Sequence, residues 1–255
     1  MEVHAHSHTA RKKWTHYFWE FVMLFLAVFC GFLAEYQLEH KIEKQRAKDY
    51  ALSLHRDIKA DTLIYNNTVR SLTVCINKID SLILLLGNTE TIIKNTASIY
   101  RLSLYAFIFP SNKPNEATTQ QLLNSGSLRY FKNSLLVDTI KLFNAEARLF
   151  NDFGANAADF NLEFRKMQAR LIEINPLIMF LSRSNILEEK NSNIDSISNF
   201  TDARLISYDP ILIKEYANWC ALKKFYMQNT VAKYNVIDRV AEGVLRMLNK
   251  AYHLN

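Results

Sequence analysis

The chain has 255 residues, 49% of them hydrophobic and 22% charged, with a formal net charge of +6. This balance excludes a disordered polypeptide, and the length suffices for a membrane anchor plus a domain with a real core. With only 5 Gly and 4 Pro, long helices are favoured over many short strands. The positive charge is spread out, tightest at Lys41 to Lys48 and Arg165–Lys166, which argues against a nucleic-acid partner.

Residues 1–16 form a polar tail with His4, His6 and His8 in alternation. Such histidines can hold Zn²⁺, Ni²⁺ or Cu²⁺ in a flexible peptide. A built zinc site needs three or four fixed ligands, and no Cys or acidic partner stands at such spacing. No metal or other cofactor is therefore expected, and His4, His6 and His8 remain weak candidates in a solvated tail.

Residues 17–36 read YFWEFVMLFLAVFCGFLAEY. As a helix they are about 30 Å long, the thickness of a bilayer's hydrocarbon layer. Trp14, Tyr17 and Trp19 at one end and Tyr36 at the other suit the headgroup regions. A cleaved signal peptide fits poorly, because Phe32 stands where a second small residue before Ala34 would be needed. Bulky Phe29 before Cys30 likewise speaks against a lipoprotein site. The segment is predicted to be a retained transmembrane helix in the lipid bilayer. Arg11, Lys12 and Lys13 on the short leading tail favour a cytoplasmic N-terminus. The rest of the chain is then expected outside.

Two carboxylates break the apolar segment. Glu20 and Glu35 fall about 60° apart on a helix, and Ala27, Gly31 and Ala34 lie near that same face. Small residues let helices approach closely in lipid. Glu20, Ala27, Gly31, Ala34 and Glu35 are thus a candidate packing face for a membrane-protein partner or for a second copy of the chain. The competing reading places both carboxylates at interface depth, with His16 able to pair with Glu20. A proton pathway, the other usual reason for intramembrane carboxylates, is disfavoured because one helix cannot line a pore.

Residues 37–255 are expected to be a helical, water-soluble domain. Leu38, Ile42, Leu54, Ile58, Val69, Leu72, Ile76, Ile79 and Leu82 recur mostly at helical spacing, with no Gly or Pro before Gly87. A long helix continuing from the anchor is predicted, with a break near Asn66–Asn67. A second helical stretch is placed over 89–107, with Leu102 to Phe109 in the core. Pro110 to Asn115 reads as a loop, followed by a short helix over 117–123. Ser125–Gly126 stops that helix as a structural turn, glycine best taking the left-handed conformation. Asn133 or Ser134 caps the next helix, which carries Leu135, Leu136, Ile140, Phe143 and Leu149 and continues past Gly154 to about Ile174. Asn175–Pro176 and Asp209–Pro210 each place a capping side chain before a proline at the first helical position. Asn191 to Thr201 is polar and reads as a loop. The last helix is predicted from Pro210 to about Tyr252, with Trp219, Leu222, Tyr226, Ile237, Leu245 and Leu248 as its apolar stripe. The fold class is all-α: one N-terminal transmembrane helix continuing into a long helix, followed by an up-and-down helical bundle.

No catalytic motif appears. There is no P-loop, dinucleotide glycine pattern, HExxH or Gly-x-Ser-x-Gly. Asp57 and Asp61 stand one turn apart and read as a solvated helix face. Cys75 and Cys220 read as buried free thiols. A non-enzymatic role is expected, either as a membrane-anchored interaction or accessory protein or as a periplasmic ligand-binding, sensor-like bundle. The short leading tail leaves the sensor without a cytoplasmic output domain.

The block Thr118-x-x-x-Leu122-x-x-Ser125-Gly126-x-Leu128-x-x-Phe131-x-Asn133 resembles one in an uncharacterised family of Bacteroidota single-pass inner-membrane proteins. Those chains are similar in layout, with an N-terminal anchor, a long helix and this block before another helix. Phe131 replaces the usual isoleucine, and the histidine-rich tail also departs from the family. The resemblance implies a bacterial inner-membrane location and no known activity.

Overall fold

The computed structural model describes residues 14–109, 112–183 and 204–254. His4, His6, His8, the run Arg11 to Lys13, Pro110 and the predicted loop Asn191–Thr201 lie outside the described residues. Among those described are seven α-helices, one short 3-10 turn and no strand. The helices are α1 (Trp14–Leu86), α2 (Thr89–Lys94), α3 (Thr96–Phe107), α4 (Ala117–Asn124), α5 (Ser134–Leu171), α6 (Ile174–Arg183) and α7 (Pro210–Tyr252). The chain divides at Tyr50–Ala51 into two compact units.

The described part of the first unit is the leading portion of α1. Its side chains from Trp14 to Ile42 are exposed or, at Val22, half-buried. This is the one helix among the described residues long and apolar enough to cross a membrane.

The second unit, residues 51–255, is a bundle held by three long helices. On α1 the buried positions Ala51, Leu54, Ile58, Asp61, Tyr65, Thr68, Leu72, Cys75, Ile79, Leu82 and Leu86 alternate at spacings of four and three. On α7 the same alternation runs through Ile213, Tyr216, Cys220, Lys223, Met227, Thr230, Tyr234, Ile237, Ala241, Val244 and Leu248. On α5 it runs from Leu136, Ile140, Phe143, Ala147 and Phe150 to Ala157, Phe164 and Leu171. A repeat averaging 3.5 residues keeps one seam facing its neighbours along the whole helix.

Contacts fix the directions. Tyr234 of α7 packs, with tilted rings, between Tyr65 of α1 and Phe150 of α5, with ring centroids 5.5 and 4.6 Å away. Further along, Lys224 pairs with Asp80 at 2.6 Å and Arg170 with Glu215 at 3.1 Å. Helix α7 is therefore antiparallel to both α1 and α5. The fourth leg is not one helix. It is α3 and α4, with residues 108–109 and 112–116 between them outside any helix; the contacts of these pieces run back along the bundle. Ser103 meets Gln168 and Tyr216, Asn112 meets Tyr234, and Thr118 meets Asp57. The up-and-down topology predicted from the apolar spacing is present, with this leg broken.

Local chemistry sets most boundaries. Asn133 caps α5, its side chain accepting from the Leu136 N–H at 3.3 Å. Asp209 caps α7 by accepting from the Ile211 N–H at 3.0 Å, with Pro210 at the first position. Gly126 has φ +66° and would meet no atom with an added Cβ, so its backbone conformation, not crowding, calls for glycine there. Ser125 precedes it as the C-cap of α4, its hydroxyl donating to the Gln121 carbonyl at 2.6 Å. Helix α5 runs through Gly154 unbroken.

Four expectations need correction. Helix α1 does not break at Asn66–Asn67, because both residues are exposed and the core seam passes through Tyr65 and Thr68 beside them. The stretch 89–107 is two helices, since Asn95 turns its side chain onto the Thr91 carbonyl at 2.8 Å and takes a non-helical conformation. Helix α6 starts at Ile174, so Asn175 does not cap it. Pro176 is the third helical residue, where an N–H has no intrahelical partner to lose. The stripe assigned to α7 holds at Ile237 and Leu248, which are buried, but not at its other end. Leu222 is 48% exposed, while Trp219 and Tyr226 lie beside the seam, against Phe160 of α5.

Candidate functional site

On the leading part of α1, Glu20, Ala27, Gly31, Ala34 and Glu35 are all exposed. A Cβ at Gly31 would meet no atom within 4 Å, so nothing within the chain requires glycine there. His16 Nδ1 lies 3.7 Å from Glu20 Oε1, as the one-turn spacing predicts. The turn residues Ser125 and Gly126 lie in the bundle, where the Ser125 hydroxyl is also 2.7 Å from that of Ser127.

The bundle's own polar groups converge at two levels of its core. The first faces the broken leg. Residues 112–116, most of them exposed, carry N–H and C=O groups with no helical partner, and on the side that faces the bundle side chains meet them. The Tyr234 hydroxyl does this twice, accepting from the Asn112 N–H and donating to the Asn112 carbonyl, both at 2.9 Å. Asp61 Oδ2 accepts from the Asn115 N–H at 2.8 Å and from the Tyr65 hydroxyl at 3.3 Å. Asn112 Nδ2 donates to Thr68 Oγ1 at 2.7 Å, and Thr118 Oγ1 donates to Asp57 Oδ2 at 2.5 Å. Asp57 and Asp61 are therefore not a solvated face: Asp61 is 3% exposed and the Asp57 side chain 13%. Burial raises the Asp61 pKa, partly offset by its hydrogen bonds to Asn115 and Tyr65.

The second level is built around Lys223, which is 1% exposed. Its ammonium donates to Asn161 Oδ1 and lies 4.8 Å from the Phe109 ring centre and 5.2 Å from that of Phe164. Ring faces and an amide oxygen compensate a buried cation only in part. Burial, reinforced by the Arg165 charge, lowers the Lys223 pKa from 10.5 to about 7. Cys75 and Cys220 are buried free thiols, as their lone placement predicts. Burial raises them to about 11 and about 12, so at neutral pH they are thiols, not nucleophilic thiolates. Next to them, Gln168 donates to the Ser103 carbonyl at 3.0 Å and to the Tyr216 hydroxyl at 3.2 Å.

The reading of motifs missed both levels because neither Asp61 nor Lys223 belongs to one. The signal was present in the spacing. Each occupies a seam position three residues from one buried neighbour and four from the next. Among the described residues, no group of three or more His, Cys, Asp and Glu stands close enough to hold a metal ion. The polar groups of these two levels tie the helices to one another and to Asn112 and Asn115, while Gln168 Oε1 at the second level is buried without a hydrogen-bond partner.

No family model, no curated protein and no solved structure matches the chain.

Proposed function

We propose that this chain is a membrane-anchored helical interaction or accessory protein, not an enzyme. In this reading residues 17–36 span a bacterial inner membrane, the N-terminal tail is cytoplasmic and the bundle is periplasmic. The observation that carries it is the contrast along one continuous helix. In its apolar part, residues 14–42 of α1, no side chain is buried; from Ala51 to Leu86 a full seam of buried residues joins a core of its own. A run of exposed large apolar side chains on one helix demands an apolar surrounding, and lipid supplies it. The absence of charge between Phe21 and Ala34 and the aromatic residues at both ends support the same placement.

Orientation is tested by reporter fusions. A periplasm-active enzyme fused after Asn255 is expected to be active, and one fused before Met1 inactive. The reverse pattern would put the bundle in the cytoplasm.

The interaction reading is tested on the anchor. In lipid there is no hydrophobic drive between helices, so association depends on close packing and on polar groups finding partners. Gly31→Leu keeps the segment apolar and its Cβ has open space, yet it fills the middle of the Glu20–Ala27–Gly31–Ala34–Glu35 face. It is expected to leave insertion intact and to weaken capture of a membrane partner, or self-association, in native-membrane crosslinking. Val22→Leu, on the opposite side of the helix, is the control. Equal crosslinking of the two variants would reduce α1 to a tether.

A further inference from the structure

We infer that Lys41, Lys44 and Lys48 form a docking face for the anionic phospholipid headgroups of the bilayer that residues 17–36 span. The inference rests on the reading of those residues as a membrane span and holds for either orientation of the chain. At 100° per residue, the three lysines fall within about 60° of one another on α1. All three are exposed, and no position three or four residues from any of them holds a carboxylate. The carboxylates of this stretch are turned elsewhere. Glu39 lies on the far side of the helix, Glu43 is 3.4 Å from His40 Nδ1, and Asp49 accepts from Gln45 Nε2 at 2.8 Å. Arg46, by contrast, has Glu43 and Asp49 three residues to either side. Like charges one turn apart destabilise a helix, so three lysines in a row gain from an anion supplied from outside it.

The bilayer is the nearest source of that anion. At 1.5 Å per residue, the Cα atoms of Lys41, Lys44 and Lys48 stand about 7.5, 12 and 18 Å beyond Tyr36 along the helix. The headgroup layer outside the hydrocarbon is about 5–7 Å deep. Each Cα–Cβ bond of a helix tilts toward the N-terminus, which here is toward the span, and the long lysine stem lets its ammonium reach back further. Lys41 and Lys44 thereby come to phosphate depth, and Lys48 to within about one Debye length of it. Beside them Leu38 and Ile42 are 59% and 42% exposed, which continues the apolar contact of the span into the same layer. A zwitterionic lipid matches its phosphate with its own amine, whereas an anionic lipid presents a net charge. Charge complementarity therefore selects the anionic lipid, at about fivefold in affinity for each lysine near the surface.

The test uses the full chain in phosphatidylcholine vesicles, with a fluorescent donor on Cys30, the one exposed thiol among the described residues. Arg11→Gln, Lys12→Gln and Lys13→Gln remove the charge of the leading tail, which would attract the same lipids at the other surface. Trace acyl-labelled phosphatidylglycerol or phosphatidylcholine serves as acceptor, and the ratio of energy transfer to the two reads enrichment of the anionic lipid around the span. The ratio is expected to exceed one at low salt. It should fall to one in about 1 M salt, where the Debye length is about 3 Å, and also on combining Lys41→Gln, Lys44→Gln and Lys48→Gln. Lys44→Gln alone should lower it more than Lys48→Gln alone. Lys94→Gln, Lys132→Gln and Lys250→Gln together, at exposed positions outside this face, change the net charge equally and should leave it unchanged. A ratio of one at low salt, a ratio that survives high salt, or equal loss in the two triple variants would overturn the lysine face. Retention in the vesicles after alkaline carbonate reads the span separately. Release by carbonate would overturn the span and the inference with it, whereas retention with a ratio of one would overturn the inference alone.

Discussion

Replacing Lys223 by methionine is expected to stabilise the bundle by about 2 kcal/mol at pH 7 and to flatten its pH dependence. In the unfolded chain this lysine holds its proton up to about pH 10.5; in the fold it releases it near pH 7. Between those values the folded state binds fewer protons, so stability rises with pH through the window. Below about pH 7 both states are protonated and the full penalty of the buried charge is present. A shift of this size corresponds to about 5 kcal/mol. Methionine relieves that penalty but leaves Asn161 Oδ1 without its donor, which returns about 1–3 kcal/mol. Urea denaturation of residues 43–255 at pH 7 and pH 9 measures both effects. The native bundle should gain about 2 kcal/mol between the two pH values and the methionine variant much less. The range ends at the ordinary thiol value of 9, where ionisation of Cys75 and Cys220 in the unfolded chain, their folded values being raised, takes back part of the gain in the native bundle and the variant alike. Equal slopes would mean that the ammonium reaches water in the fold.

Tyr234→Phe is expected to cost about 2–4 kcal/mol, unusually much for the loss of one oxygen. The ring is 0% exposed and phenylalanine keeps its packing between Tyr65 and Phe150. The hydroxyl, however, is partner to both backbone groups of Asn112 at 2.9 Å. Removing it takes the partner from an N–H and a C=O on the part-buried side of an otherwise exposed residue, at a cost of about 1–2 kcal/mol for each. The same denaturation experiment gives the loss. Hydrogen exchange at the Asn112 amide locates it, with protection expected to fall there before it falls in α5 or α7. A change below about 0.5 kcal/mol would show that water takes the place of the hydroxyl.

The sequence by itself determined the elements whose causes are local. A run of apolar residues bounded by aromatic rings makes the leading part of α1 long and apolar enough to cross a membrane. Asn133 and Asp209–Pro210 start α5 and α7 because a short polar side chain reaches an N–H two or three residues on. Gly126 ends its turn because a positive φ is cheap only for glycine. Helical spacing along three segments determined the all-α class, since only that repeat keeps one face inward over such lengths. The tertiary structure alone decided which face of each helix turns inward. Leu135, Leu149 and Leu222 look like core and lie outside, while Lys223 looks like surface and lies inside, because the seams that meet across the bundle are set by neighbours far along the chain. The tertiary structure also decided the fates of Asp57 and Asp61. A carboxylate one turn from another reads as solvated until an extended segment with unpaired N–H groups is laid against it, and no local pattern records that Asn115 will arrive there.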